Sequence, residues 1–192
     1  MINLAGPDAA RIKMPSRNET TGRAARTAEI LVLGLGNAIL GDDGVGWKVA
    51  EDVGRHLQLS HAVEVDCLAV GGLGLMERML GYSRVILVDS IQTGSCPDGT
   101  VSNLQLGDLQ DPGLGHTASA HDASLSTALQ AAKALGAPIP ERVDIVAIEA
   151  RNCHDFSEEL SPRIAAAVPV ATRNVLDLLG PELRRPASAR HT

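Results

Sequence analysis

The chain has 192 residues, of which 44% are apolar and 21% charged, so it can form the core of one globular domain and is not intrinsically disordered. No apolar run reaches the roughly 20 residues that cross a bilayer, and residues 1–28 lack the apolar centre of a secretory signal, so we expect a soluble, cytoplasmic protein. A net charge of -6 and a content of one Phe, one Tyr and one Trp argue against nucleic-acid binding.

The two ends of the chain differ in composition from its centre. Residues 1–28 mix polar residues with Arg and Lys and show no apolar periodicity, which predicts a disordered arm. Residues 181–192 form a polar tail, so the predicted domain covers residues 29–180. The cysteines are odd in number and form no CxxC pair, which indicates a reducing compartment.

Short segments rich in Leu, Val and Ile alternate with amphipathic segments along this domain. The predicted strands are Ile30–Leu35, Val63–Leu68, Arg84–Asp89, Gly99–Leu106 and Arg142–Ile148. The predicted helices run from Val45 to about Gln58, from Leu73 to Leu80, from His121 to Leu135 and from Pro162 to Leu179. We expect Pro169 to kink or divide the last helix.

The alternation predicts one doubly wound α/β domain, with helices on both faces of a mostly parallel, five-stranded sheet. In such folds the ligand crevice lies beyond the carboxyl ends of the strands, where the strand order reverses. If the order begins 2-1-3, the loop after the first strand meets the end of the third strand. The sequence then places residues 36–46 beside Asp89.

The loop Gly34-Leu-Gly-Asn-Ala-Ile-Leu-Gly-Asp-Asp-Gly-Val-Gly46 is the most informative segment. It is not a dinucleotide-binding GxGxxG loop, because Gly41 follows Gly36 too late. It is not a P-loop either, because Asp42 and Asp43 stand where Lys and Ser or Thr would bind phosphates. Two carboxylates attract a cation, although they could also simply open the next helix, where negative charge is stabilising.

Two further side chains could join a cation site. Asp89 ends an apolar strand at the predicted crevice, where a buried carboxylate is costly without a partner or a metal; the alternative is a cap or turn residue. His121 begins a helix in Ser119-Ala-His-Asp122, where the helix N-terminus favours the neutral ring that binds metals, although most such His residues only start a helix. With Asp43 they offer two oxygens and one nitrogen, which suits nickel, zinc or manganese.

Several segments together resemble the hydrogenase maturation proteases. They are Leu33–Gly46, the strand that ends in Asp89, Ser119-Ala-His121 and Phe156–Pro162. In that family a single α/β domain removes the C-terminal extension of a [NiFe]-hydrogenase large-subunit precursor after nickel insertion. The resemblance implies that Asp43, Asp89 and His121 recognise the metal, and that nickel arrives with the substrate, so that the isolated protein need not retain it.

The chain departs from a common pattern of that family after the second strand. Many members have Asp-Gly-Gly-Thr there, whereas this chain has Val70-Gly71-Gly72-Leu73. Both polar side chains are replaced by apolar ones. The two glycines could still let a substrate backbone approach closely.

We therefore expect a monomeric endopeptidase whose metal-binding and catalytic residues are Asp43, Asp89 and His121. Two chemical routes remain open: a metal that polarises a water or the scissile carbonyl, or Asp42 as general base. The alternative from another class is a non-catalytic nickel sensor or chaperone. The run Cys153-His154-Asp155 has the residue types of a triad, but adjacent side chains point in different directions, which favours a solvated loop.

Overall fold

The structure, a computed structural model, describes residues 28–57, 62–69, 71–106, 120–153 and 156–180, with the backbone alone for residues 120–124. The predicted tail and nearly all of the predicted N-terminal arm lie outside the described residues, as do Val70, His154 and Asp155. The domain boundaries at residues 29 and 180 therefore stay predictions.

Strands and helices alternate along the described chain. The strands are β1 (Ile30–Leu35), β2 (Val63–Leu68), β3 (Arg84–Ile91), β4 (Val101–Gln105) and β5 (Arg142–Glu149). The helices are α1 (Val45–His56), α2 (Gly72–Met79), α3 (Ala120–Ala134) and α4 (Pro162–Leu179), and a 3-10 turn at Gly41–Gly44 precedes α1. None of the described helices is both long and apolar enough to span a membrane.

Three predictions about these elements need correction. β4 covers Val101–Gln105 and is shorter at both ends than the predicted strand. β3 runs to Ile91, so Asp89 lies inside the end of the strand and does not terminate it. α4 is a single helix that Pro169 does not divide. The proline is exposed, while Ala167 and Ala171 on either side of it are buried against the sheet and hold both halves in place.

The sheet has the strand order β2-β1-β3-β5-β4. β1 pairs in parallel with β2 and β3, and β3 with β5, which confirms the 2-1-3 order and the parallel core. β4 is antiparallel to β5, so the sheet is mixed. The connection from β3 to β4 contains no helix that could carry the chain back to the other end of the sheet, and β4 must therefore run the opposite way.

One hydrophobic cluster covers each face of the sheet. α1 and α4 pack on one face through residues such as Val49 and Val175, and α2 and α3 pack on the other through Leu75 and Leu125. β1 is buried along its whole length, because helices cover both faces of a central strand. The layers leave the carboxyl ends of β1, β3 and β5 as one edge of the sheet, where the loops meet.

At the opposite edge, the buried carboxylate of Asp144 joins β3 to β5. Arg84 Nε donates to Oδ2 at 2.8 Å, and Arg142 Nε donates to Oδ1 at 2.9 Å. Asp144 is 2% exposed, and Arg84 and Arg142 face each other in the strand register. Two guanidinium groups thus share one carboxylate at the start of both strands.

Replacing Asp144 by Ala should lower the free energy of unfolding by about 3 kcal/mol, because the partly buried Arg84 would lose its counter-charge. Urea denaturation measures this loss. Arg55→Ala, which removes the surface pair between Arg55 and Asp52, should change stability by less than about 1 kcal/mol. Equal losses in the two variants would show that Asp144 is no more important than a surface charge.

Candidate functional site

The loop after β1 is held against the sheet by close backbone contacts. A Cβ atom on Gly46 would overlap the carbonyl oxygens of Leu35 and Val88, and one on Gly34 would overlap the carbonyl oxygen of Gly46. The start of α1 therefore lies directly on β1 and β3. The glycines that suggest a phosphate-binding loop serve this close packing of helix on sheet.

Gly36 turns the chain back toward the sheet edge. Its φ of +110° is in the region that favours glycine, and a Cβ atom there would overlap the carbonyl oxygen of Asp43. Because the chain doubles back so tightly, the 3-10 turn brings Asp42 and Asp43 to the carboxyl end of β1. A residue with a side chain at position 36 would prevent this turn, so the positions of Asp42 and Asp43 depend on Gly36.

The carboxylate of Asp43 accepts two hydrogen bonds from neutral donors. The backbone N–H of Asn37 donates to Oδ2 at 2.6 Å, and the Ser90 hydroxyl donates to Oδ1 at 3.2 Å. Ser90 follows Asp89 in β3, so this second bond joins the loop after β1 to the end of β3. The 2-1-3 strand order brings these two segments together.

Asp89 is 4% exposed and pairs in register with Ala147 of β5. Side chains alternate along a strand, so Asp89 faces the same side of the sheet as Leu87 and Ile91, which pack with α2 and α3.

His121 is the second residue of α3, but its side chain lies outside the described part. Among the described residues no three His, Cys, Asp or Glu side chains form a metal-binding group.

Asp42 is buried and anchors the loop to the start of α4. It is 3% exposed, and its Oδ1 accepts the backbone N–H of Ser161, the residue before α4, at 2.6 Å. Its own N–H donates to the Asn152 carbonyl at 3.3 Å. The negative charge lies at the N-terminus of α4, where it is stabilising. This contact favours a structural role for Asp42 and explains why the carboxylate can be buried.

Cys153 is linked to Asp43 through the hydroxyl of Ser90. Its thiol is 6% exposed and donates to the Ser90 hydroxyl at 3.7 Å, which in turn donates to Asp43. Burial raises the pKa of the Cys153 thiol, and the carboxylates of Asp43 and Asp42 raise it further. A neutral, buried thiol is a poor nucleophile. The geometry therefore does not favour Cys153 as a catalytic residue.

Glu149 is a third buried carboxylate at this edge, after Asp42 and Asp89, and sequence reasoning missed it. It is 2% exposed at the end of β5; Thr93 Oγ1 donates to Oε2 at 2.6 Å and the Gly94 N–H donates to Oε1 at 2.8 Å. It thus fixes the loop after β3 against the sheet. The signal was present, because Glu149 comes at the end of an apolar run in the sequence, as Asp89 does.

The departure from the family pattern lies at the same edge of the sheet. Leu73 is the second residue of α2, which follows β2, and its side chain is 63% exposed. Val70 lies outside the described residues. An apolar side chain is thus presented to solvent where many family members have a polar one.

Comparison with known proteins identifies relatives of the whole described domain. A family model described as hydrogenase maturation protease matches residues 47–178, a stretch that contains Asp89 and His121 and begins just after Asp43. The chain is 27% identical over 151 residues to the hydrogenase 2 maturation protease of Escherichia coli, covering 78% of this chain and 90% of that protein. It is 26% identical over 151 residues to the hydrogenase expression/formation protein HupD of Thiocapsa roseopersicina, covering 79% and 67%.

Solved structures give the same result. The fold is similar to that of the hydrogenase maturating endopeptidase HybD from E. coli, with a TM-score of 0.64 and 27% identity over 79% of this chain and 91% of that one. It is also similar to a hydrogenase 2 maturation peptidase from a Thaumarchaeota archaeon, with a TM-score of 0.58 and 30% identity over 79% and 98%. Sequence and fold therefore identify the same relatives.

Two glycines of α1 test the close-packing role. Gly46→Ala should lower the free energy of unfolding by about 3 kcal/mol, because the new methyl group would push α1 away from β1 and β3. Gly54→Ala is the matched control, since a Cβ atom there meets nothing within 4 Å; it should stabilise the helix by about 0.5–1 kcal/mol. Urea denaturation compares the two. Similar stabilities would contradict the assigned role of Gly46.

Thiol alkylation tests the environment of Cys153. At pH 8 a raised pKa leaves less thiolate than in an ordinary cysteine, so iodoacetamide should modify Cys153 slowly. Cys67 should also react slowly, because burial and then Asp66 and Glu51 raise its pKa to about 12. Cys96, which is partly exposed, should react first. Peptide mass spectrometry follows all three, and rapid labelling of Cys153 would reopen a nucleophilic role for it.

Proposed function

Because the chain belongs to the hydrogenase maturation protease family and is a peptide hydrolase, we propose that it removes the C-terminal extension of a [NiFe]-hydrogenase large-subunit precursor. Cleavage follows nickel insertion, and the nickel is part of the substrate. Asp43, Asp89 and His121 bind this nickel and thereby place one peptide bond in the site. A precursor without nickel lacks the anchor and is not cut.

The position of Asp43 is the observation that carries this proposal. Its two oxygens accept hydrogen bonds from Asn37 and Ser90, both neutral donors, and no ion pair to it forms within the described residues. No described cation therefore pairs with this carboxylate, and its two hydrogen bonds fix its orientation at the sheet edge. A preorganised anion of this kind suits a cation that arrives with the substrate.

The other two proposed ligands come from the opposite face of the same edge. Asp89 lies on the side of β3 that α3 helps to cover. α3 leads into β5, and β5 starts at the amino edge of the sheet, where the parallel strands begin. α3 must therefore begin at the other end, the carboxyl edge, where those strands end. This direction brings the backbone of His121 to the edge that holds Asp43 and Asp89. Two carboxylates and one imidazole leave coordination positions for the precursor's own ligands.

Metal polarisation is the chemical route that we propose. Nickel in the precursor supplies a Lewis acid, which activates a water or the scissile carbonyl. The chain's own residues hold and orient the bond to be cut. Asp42 acts as an anchor and not as the base, since one of its oxygens is occupied by the Ser161 N–H and the side chain is buried. Cys153 takes no part, because its thiol stays neutral.

The test is the intact mass of a nickel-loaded precursor after incubation with this protein. Asp43→Asn, Asp89→Asn and His121→Ala should each slow cleavage by about 100-fold or more, because the substrate is then misplaced. Asp52→Asn, a change of a carboxylate on α1 far from the site, should leave the rate unchanged. The nickel-free precursor should keep its full mass.

Two outcomes would contradict this proposal. Equal cleavage of both precursors would show that nickel is not the recognition element. Intact precursors together with tight binding of free nickel by the protein alone would favour the sensor or chaperone. Asp42→Asn separates the two chemical routes. If Asp42 is an anchor, its loss lowers stability but keeps the shape of the pH–rate profile. Loss of the acidic limb, where protonation of the base slows the reaction, would make Asp42 the general base.

A further inference from the structure

Large apolar side chains are exposed around the proposed site. Of the five most exposed among the described residues, three lie at the carboxyl edge of the sheet: Ile39 at 50%, Leu73 at 63% and Phe156 at 86%. The protein has a single Phe and presents it to solvent. Apolar surface held in water is unfavourable, and several such side chains at one edge are typical of a surface that binds a partner.

Ile39 and Phe156 belong to two segments that pair like strands. Leu40 and Ser157 form a parallel bridge; the Ser157 N–H donates to the Ile39 carbonyl at 3.1 Å and the Gly41 N–H donates to the Ser157 carbonyl at 2.7 Å. Ile39 and Phe156 each precede a bridged residue, so the bridge brings these two exposed apolar residues to the same part of the protein surface.

This surface is fixed relative to Asp43. The Ile39 N–H donates to Asn37 Oδ1 at 3.2 Å, and the Asn37 N–H donates to Asp43 Oδ2. Asp42 holds the same loop to Ser161, which follows Phe156 in the chain. A substrate that binds at both places meets groups that are already ordered, which lowers the entropic cost of binding.

The charge beside the surface indicates what binds to it. Glu158 and Glu159 follow Phe156 and are exposed, and the Glu159 N–H donates to Ser157 Oγ at 3.0 Å, which orders this turn. An apolar surface flanked by two carboxylates is complementary to a peptide that carries an apolar side chain close to a Lys or Arg.

We propose that Ile39 and Phe156 form the docking surface for the C-terminal extension of the precursor. An apolar side chain of the extension packs on the Ile39–Phe156 pair, and a basic side chain lies toward Glu158 and Glu159. This inference rests on the proposed function and adds a second point of recognition. Asp43 binds the metal end of the substrate, and the apolar pair binds the segment that is released.

Steady-state cleavage of the nickel-loaded precursor tests this surface. Phe156→Ala should raise KM about tenfold, which corresponds to the loss of part of a buried aromatic contact, while kcat changes by less than about twofold. Ile39→Ser should act in the same direction. Leu135→Ala is the matched control, since Leu135 is 87% exposed but lies after α3 at the other edge; it should leave both constants unchanged.

A binding assay separates this inference from the proposed function. A fluorescein-labelled peptide that copies the extension should bind the wild type more tightly than Phe156→Ala, and replacing its Lys and Arg by Glu should weaken binding.

If the wild type cleaves the precursor but Phe156→Ala keeps its KM, the docking surface is wrong and the function stands. If the peptide binds through Phe156 but no precursor is cut, the proposed function is wrong and the surface stands. A change in the protein's own sedimentation mass, with KM unchanged, would assign the surface to a second copy of the chain.

Discussion

The backbone of α1 can lie against β1 and β3 only because Gly34 and Gly46 carry no side chains. This close approach sets the path of the loop that precedes the helix. The loop must turn back through Gly36, and that turn places both Asp42 and Asp43 at the carboxyl edge. The glycines that resemble a nucleotide-binding loop thus allow a helix to pack closely on the sheet. The side chains that they bring to the carboxyl edge are carboxylates.

The buried carboxylates at the two edges of the sheet have different kinds of partner. At the amino edge Asp144 is satisfied by two guanidinium groups, and its charge is fully compensated. At the carboxyl edge the carboxylates of Asp42, Asp43 and Glu149 accept hydrogen bonds from backbone N–H and hydroxyl groups. Neutral donors orient a carboxylate without cancelling its charge. The carboxyl edge therefore has a negative electrostatic potential, which attracts cations.

Most of the fold could be predicted because strands buried on both faces are continuous apolar runs, as at Ile30–Leu35. The direction of β4 could not, because an alternating strand has the same pattern in either direction. The role of Asp42 was missed for another reason: its partner Ser161 lies 119 residues away, and no local pattern encodes that contact. For the site, the sequence placed Asp43 and Asp89 at the same edge, but it did not indicate the part that Ser90 takes in holding Asp43.

The bond between Asp42 and Ser161 also sets the order in which this edge can be assembled. A chain made from the N-terminus completes β1 and its loop early, but the N–H group that fixes the loop belongs to Ser161, at the start of α4. Until that helix has left the ribosome and docked, Asp42 is without this partner, and the loop is held only by its bonds to earlier parts of the chain, such as that from Ser90 to Asp43. The loop after β1 therefore reaches its anchored form only after α4 has been made and has docked on the sheet.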